Sequence, residues 1–192
     1  EFLSIAAAAT WALGVILYRK LGADLPPLLL NLLKNAIVLS LMVPTVLLTH
    51  GLGWPALSPS ELGVVLLSGA LGIALADTLY FRALNDLGAG PMGIIGNLFS
   101  PFVIALAFLF LGERLSLSQL LGFVLVMGGV GVVHGVVRAD PNIPAARRRL
   151  GVLEGMAAVF LNAVGVVMVK TLLESGPFLW ISALRLVGGL GA

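Results

Sequence analysis

Hydrophobic residues along this chain gather into seven runs, at about residues 2–18, 28–49, 62–81, 89–111, 117–137, 152–172 and 177–192. No Asp, Glu, Lys or Arg occurs between Lys34 and Glu61, between Asp86 and Glu113, or between Arg114 and Arg138. A helix rises about 1.5 Å per residue, so roughly 20 apolar residues cross a hydrocarbon layer of about 30 Å. Each uncharged window is long enough, and none suits a strand or a soluble core helix. The connectors are short and hold the chain's breakers: Gly22-Ala23-Asp24-Leu25-Pro26-Pro27, Gly51-Leu52-Gly53-Trp54-Pro55 and Asn85-Asp86-Leu87-Gly88. The longest, Arg138 to Leu150, contains Pro141, Pro144 and Arg147-Arg148-Arg149 and reads as a linker. The pattern predicts an all-α integral membrane protein with seven transmembrane helices.

Composition agrees. Of the 192 residues, 59% are hydrophobic and 10% charged, and the mean hydropathy is +1.10. A soluble domain carries about 25% charged residues to cover its surface, so here the outer surface must face lipid. The net charge of +2 comes from scattered loop residues. It makes no clustered basic face with interleaved aromatics, so nucleic acid is not an expected partner. With no cysteine, disulfides and thiolate metal sites are excluded. His50 and His134 stand near helix ends without neighbouring ligand residues, so no metal is expected. The first run is followed by Arg19 and Lys20, with no basic segment before it and no cleavage pattern after it. It reads as a true span rather than a signal peptide.

The sequence also repeats itself. A shift of 151 residues lays the segment after the linker on the beginning of the chain without a gap. Ala6 and Ala7 fall on Ala157 and Ala158, Gly14 on Gly165, Arg19 on Lys170, Pro26 on Pro177, Leu33 on Leu184 and Lys34 on Arg185. Apolar matches are cheap in a membrane protein; a breaker proline and two basic positions in one register are not. The organisation expected is a first five-helix repeat at 1–138, a linker at 139–150 and the start of a second repeat at 151–192. Five is odd, so the second copy would begin from the opposite face of the membrane, and such inverted repeats are characteristic of secondary transporters. Seven of an expected ten helices are then present. Loops after odd-numbered helices carry seven Lys or Arg residues (Arg19, Lys20, Arg82, Arg138 and Arg147–Arg149) and the others carry two, Arg114 and Lys170. By the positive-inside rule the Arg147–Arg149 loop is cytoplasmic and residue 1 is outside.

An ionisable group at membrane depth is costly to insert, which makes it a functional candidate. Lys34 sits two turns into the second helix, and its repeat partner is Arg185. Either both snorkel to the interface, or the two cations line one cavity and attract an anionic group. Asp77 could pair with Lys34 as a purely structural contact, or bind a proton or a substrate amine. Asn97 stands in Gly96-Asn97-Leu98-Phe99-Ser100-Pro101, where the proline removes a helix hydrogen bond. Unwinding there would present carbonyls to a cavity. Trp11 and Tyr80 are aromatic groups with polar handles at cavity depth, although such residues more often face lipid or pack between helices. The small-residue steps Gly131-Val132-Val133-His134-Gly135 and Gly151-Val152-Leu153-Glu154-Gly155 let helices approach closely, within the chain or between copies. Gly88-Ala89-Gly90-Pro91-Met92-Gly93 spells a dinucleotide-binding pattern. It follows no strand and opens a hydrophobic helix, so it lacks the context that motif needs. No nucleophile–base set, acidic pair or phosphate loop is visible, and neither catalysis nor a cofactor is expected.

Residues 5–137 resemble the EamA domain of the drug/metabolite transporter superfamily. The resemblance rests on Gly69-Ala70-Leu71-Gly72-Ile73-Ala74 leading to Leu79-Tyr80-Phe81-Arg82-Ala83-Leu84. It continues from Pro101 to Leu111-Gly112-Glu113-Arg114-Leu115-Ser116, and then through Gln119-Leu120-Leu121-Gly122 to Gly128-Gly129-Val130-Gly131. It implies ten helices in two inverted five-helix repeats around a central cavity, and export of amino acids, metabolites or drug-like solutes without ATP. It places a basic residue at Lys34 and gives Pro101, Gly112 and Glu113 structural or gating roles. It also implies a cytoplasmic N-terminus, opposite to the charge count. The expected setting is a bacterial or archaeal cytoplasmic membrane, with lipid and a small solute as partners and proton or ion coupling left open. The competing expectation is a membrane scaffold or assembly subunit, whose buried charges would pair internally and which would have no continuous cavity.

Overall fold

The computed structural model describes residues 2–51, 53–114, 116–136 and 143–192. These residues form helices and contain no strand. The elements are α1 (Phe2–Leu21), α2 (Pro27–His50), α3 (Pro59–Gly69), a π-helical turn (Ala70–Leu75), α4 (Ala76–Leu87), α5 (Ala89–Gly96), α6 (Phe99–Leu111), α7 (Leu117–Val136), α8 (Ala145–Met168), α9 (Lys170–Ser175) and α10 (Phe178–Leu190). Five continuous rods are long and apolar enough to span a bilayer: Phe2–Leu21, Pro27–His50, Pro59–Leu87, Ala89–Leu111 and Ala145–Met168. Phe178–Leu190 and the part of α7 from Leu117 to Gly129 are shorter apolar helices.

The helix ends follow from local chemistry. Pro27 occupies the first turn of α2, where its missing N–H costs nothing. Ser58 caps α3 in a reciprocal box with Glu61, each side chain satisfying the other's backbone amide. Ser116 and Gln119 repeat that arrangement at the start of α7. Gly88, at φ +84°, reverses the chain between α4 and α5 in a single residue, a conformation closed to most side chains.

Two boundaries differ from expectation. The third rod runs from 59 to 87, so Asn85-Asp86-Leu87 is the last turn of a helix rather than a loop. In the same way α8 reaches back to Ala145, placing Arg147–Arg149 in its first turns. Ala145-Ala146 and the arginines are strong helix formers, and Pro144 ahead of them supplies the stop. Arg138 and residues 139–142 of the expected linker lie outside the described residues. So do Leu115 and the side chains of Gly131, Val133, His134 and Gly135.

Long-range contacts sort the helix ends into two levels. At one end the Asn85 amide donates to the Gly22 carbonyl at 2.9 Å, and Arg147 meets Asp86 at 3.2 Å. The end of α1, the end of α4 and the start of α8 therefore lie together, and α1 and α8 run antiparallel. At the other end Lys170 pairs with Glu113, and Trp54 packs on Trp180 with ring centroids 5.4 Å apart.

The third rod is the axis of the bundle. α4 packs most heavily on α8, while α3 and the π turn pack on α10. Helices pack this closely in lipid only where side chains are small. A Cβ on Gly69 would lie 1.9 Å from the Arg185 carbonyl oxygen, one on Gly188 2.3 Å from that of Leu66, and one on Gly165 2.9 Å from the Gly72 Cα. Gly151 and Gly155 face Leu87 and Met92, so this small-residue step serves packing within the chain. The largest core cluster gathers Val15, Leu30, Phe81, Leu84, Met92 and Val159 from five helices. We expect Gly188→Val to destabilise the detergent-solubilised protein by roughly 1–3 kcal/mol through overpacking. Gly63→Ala, which meets open space, should leave the thermal unfolding midpoint unchanged or slightly raised.

Candidate functional site

The π turn determines what surrounds it. A π turn holds one residue more than an α turn, which displaces its carbonyls from the regular ladder, and such turns occur often at functional sites. Here the Asn31 amide from α2 donates to the carbonyls of Ile73 (3.0 Å) and Ala74 (2.9 Å) and to the Thr78 hydroxyl (3.0 Å). Asn35, one turn along α2, donates to Asn31 Oδ1 at 2.7 Å and fixes the orientation of that amide. From the opposite side the Asn162 amide on α8 donates to the Gly72 carbonyl at 3.3 Å. Asn31 and Asn35 are buried, at 3% and 2% exposure, so these bonds are made where water cannot replace them.

Three charges stand on this frame. Lys34, on the same face of α2 as Asn31, forms an ion pair with Asp77, the second residue after the π turn. Its ammonium also lies over the Phe81 ring, 5.7 Å from the centroid, within cation–π range. Arg185, on α10, donates from Nε to the Ser68 hydroxyl at 3.1 Å. Ser68 is fully buried and donates in turn to the Val65 carbonyl at 2.7 Å. Arg185 lies within electrostatic reach of Asp77, and its Nη2 is 3.5 Å from the position a Cβ on Gly72 would take. Lys34 is the eighth residue of its helix, as Arg185 is of the shorter α10. At about 1.5 Å per residue each charge is about 10 Å from its helix start, and those starts lie at opposite ends of the bundle.

The remaining candidates are placed variously. Tyr80 lies one turn beyond Asp77 on the same face, its ring edge-on to Phe81 at 6.0 Å. Trp11 is 69% exposed on α1, and the structure does not join it to the charges. The fourth rod breaks at Asn97-Leu98, where the amides of both residues bond three residues back, to Ile94 and Ile95. Pro101 is buried in the first turn of α6 and has no N–H to offer the Asn97 carbonyl. Asn97 itself is exposed and takes no part in the polar network. Gly112 ends α6 in the left-handed conformation, φ 66°. Glu113 then reaches Lys170 and ties the end of the fourth rod to the start of α9, just after α8. The hydrogen bond that the Lys170 ammonium donates to the Glu113 carboxylate holds its pKa above the ordinary lysine value.

Sequence reasoning singled out the charges and overlooked their support. Asn31, Asn35, Ser68, Thr78 and Asn162 carry the network. The available signal was the spacing of Asn31, Lys34 and Asn35, three and four residues apart on one face of an otherwise apolar helix. Two apolar grooves flank α6, one lined by Ile104, Phe108, Leu120 and Phe123 and the other by Phe110, Phe160, Val164 and Met168. Neither touches the charged cluster.

An all-helical bundle with five helices long and apolar enough to cross a bilayer has the character of an integral membrane protein. Residues 1–134 match the EamA-like transporter family, and the chain belongs to it. Two curated relatives named solute carrier family 35 member F5, from Macaca fascicularis and Pongo abelii, are each 32% identical over 99 residues. The match covers 50% of this chain but only 22% and 18% of those proteins. Both relatives come from primates, so they lend no support to a bacterial or archaeal membrane.

Asn31→Leu removes the donor for two carbonyls and a hydroxyl. It is expected to lower stability by roughly 1–3 kcal/mol, read as a fall in the detergent unfolding midpoint. Ser40→Ala, at an exposed hydroxyl bonded only to its own helix, should leave that midpoint in place. The folded-state pKa of Lys170 is raised, so the contribution of its pair is complete below the ordinary lysine range and fades as pH rises through the folded value. Glu113→Gln should therefore differ from the parent protein at neutral pH, and the difference should shrink as pH rises through and beyond the ordinary lysine range.

Proposed function

We propose that the protein is a secondary transporter of small organic solutes that works by alternating access around the Lys34–Asp77–Arg185 cluster. The observation that carries this reading is the Lys34–Asp77 ion pair beside the π turn, with Arg185 held by Ser68 at the other edge of the same turn. Lys34 and Arg185 coincide when the sequence is shifted by 151 residues, and their helices start from opposite ends of the bundle. The antiparallel course of α1 and α8, which the 151-residue shift aligns, supports inverted five-helix repeats. The full carrier would then be a ten-helix protein with its solute path between the repeats. Family membership supports the class of activity, and the curated relatives bear a solute-carrier name. Glu113 and Lys170 would act as a tie between helix ends in one of the two access states. The break at Asn97 would let α5 and α6 move separately. Protons or ions are the energy source in this reading, and Asp77 is the group placed to exchange with them.

A membrane scaffold is favoured by one observation, the internal pairing of Lys34 with Asp77. The two readings separate in proteoliposomes. A carrier exchanges labelled solute against unlabelled solute, and Lys34→Gln and Asp77→Asn each lower that exchange at least about tenfold while the protein stays folded. A scaffold shows no exchange above empty vesicles for any of a panel of amino acids and organic acids. It also shows no change in the variants beyond stability.

A further inference from the structure

The charges at the cluster do not balance. Lys34 and Arg185 supply two positive charges and Asp77 one negative, and Lys34 takes the carboxylate of Asp77 as its partner. Arg185 uses only Nε, on the Ser68 hydroxyl. Among the described residues its two terminal amino groups have neither a hydrogen bond nor an ion pair, and they are not sealed away from open space. A guanidinium at membrane depth normally meets a partner for its planar fork, because hydrocarbon offers none. Here the fork is held open by construction. Ser68 fixes Nε, and Nη2 lies beside Gly72 in the π turn, 3.5 Å from where a Cβ there would stand.

We propose that the terminal amino groups of Arg185 are the docking point for the carboxylate of a small organic monoanion. This rests on the transport reading above and specifies its substrate class. One carboxylate brings the three-residue cluster to zero charge, the state that costs least at this depth. A cation would raise the excess to +2, a dianion would invert it to −1, and a neutral solute would leave it at +1. Two parallel N–H···O bonds suit a carboxylate to an arginine fork and not to an ammonium. Arg185→Lys is therefore not a neutral exchange. Ser68 is a positioning residue in this arrangement, because it acts only by orienting the guanidinium.

The test uses three probes of one shape: sodium benzoate, benzyl alcohol and benzylammonium chloride, at equal ionic strength. Binding is read from the thermal unfolding midpoint of the purified protein, and flux from proteoliposomes loaded with the same labelled compounds. Benzoate should raise the midpoint saturably, and the other two should not. Arg185→Gln should weaken the benzoate response about tenfold or more, with Arg185→Lys in between. Ser68→Ala should weaken it less and narrow the difference between benzoate and benzyl alcohol. If Arg185→Gln fails to fold, Ser68→Ala and Arg185→Lys carry the test. Flux of the alcohol or the ammonium in preference to benzoate overturns the monoanion proposal and leaves the carrier reading standing. A saturable benzoate shift that depends on Arg185, with no flux of any probe, upholds the site and removes the carrier reading. An equal response to all three probes, unchanged in the Arg185 variants, overturns the proposal outright.

Discussion

The architecture depends on one wide turn in the middle of one membrane helix. In hydrocarbon, every displaced carbonyl needs a donor from the protein, because no water is at hand to supply one. The turn at Ala70–Leu75 meets that demand with Asn31 on one side and Asn162 on the other. Those two amides come from α2 and α8, so the same requirement that satisfies the turn also draws helices from early and late in the chain onto the third rod. The glycines then become necessary. Gly69, Gly72, Gly165 and Gly188 are where backbones meet with no room for a Cβ.

The charges follow from that frame. The π turn ends two residues before Asp77 and begins two after Ser68, so it fixes the level of the acid and of the hydroxyl that holds Arg185. Lys34 arrives on the face of α2 that already carries Asn31 and Asn35. A salt bridge in a low-dielectric interior is poor evidence of stability by itself, since desolvation offsets much of its attraction. Its value here is positional: it holds an excess positive charge at one place, between helices that approach from opposite ends.

Much of this was legible in the sequence and some was not. The seven apolar runs, the break before Pro101 and the three charges all follow from windows of residues read locally. The resemblance carried by Gly69–Ala74, by Leu79–Leu84 and by Gly112-Glu113 agrees with the family match over residues 1–134. The π turn was not legible, because Ala70-Leu71-Gly72-Ile73-Ala74-Leu75 has the composition of any apolar helix. Its extra residue is stabilised by amides 42 and 90 positions away. The ends of α4 and α8 were misjudged for a different reason. Polar residues such as Asn85, Asp86 and Arg147 continue a helix into the interface when Gly22 and one another are there to partner them.

The central claim is that the Lys34–Asp77–Arg185 cluster borders a path that water and solute reach from each face of the membrane in turn. The chain contains no cysteine, so Lys34→Cys would introduce the one thiol in this sequence. The most direct measurement is the labelling rate of that thiol, in sealed oriented vesicles, by a membrane-impermeant charged methanethiosulfonate added to either side. The account predicts modification from both sides, with each rate changing in opposite directions when Glu113→Gln loosens the tie to Lys170. Labelling from neither side, in protein that denaturation then renders fully reactive, would show a sealed structural cluster and contradict it.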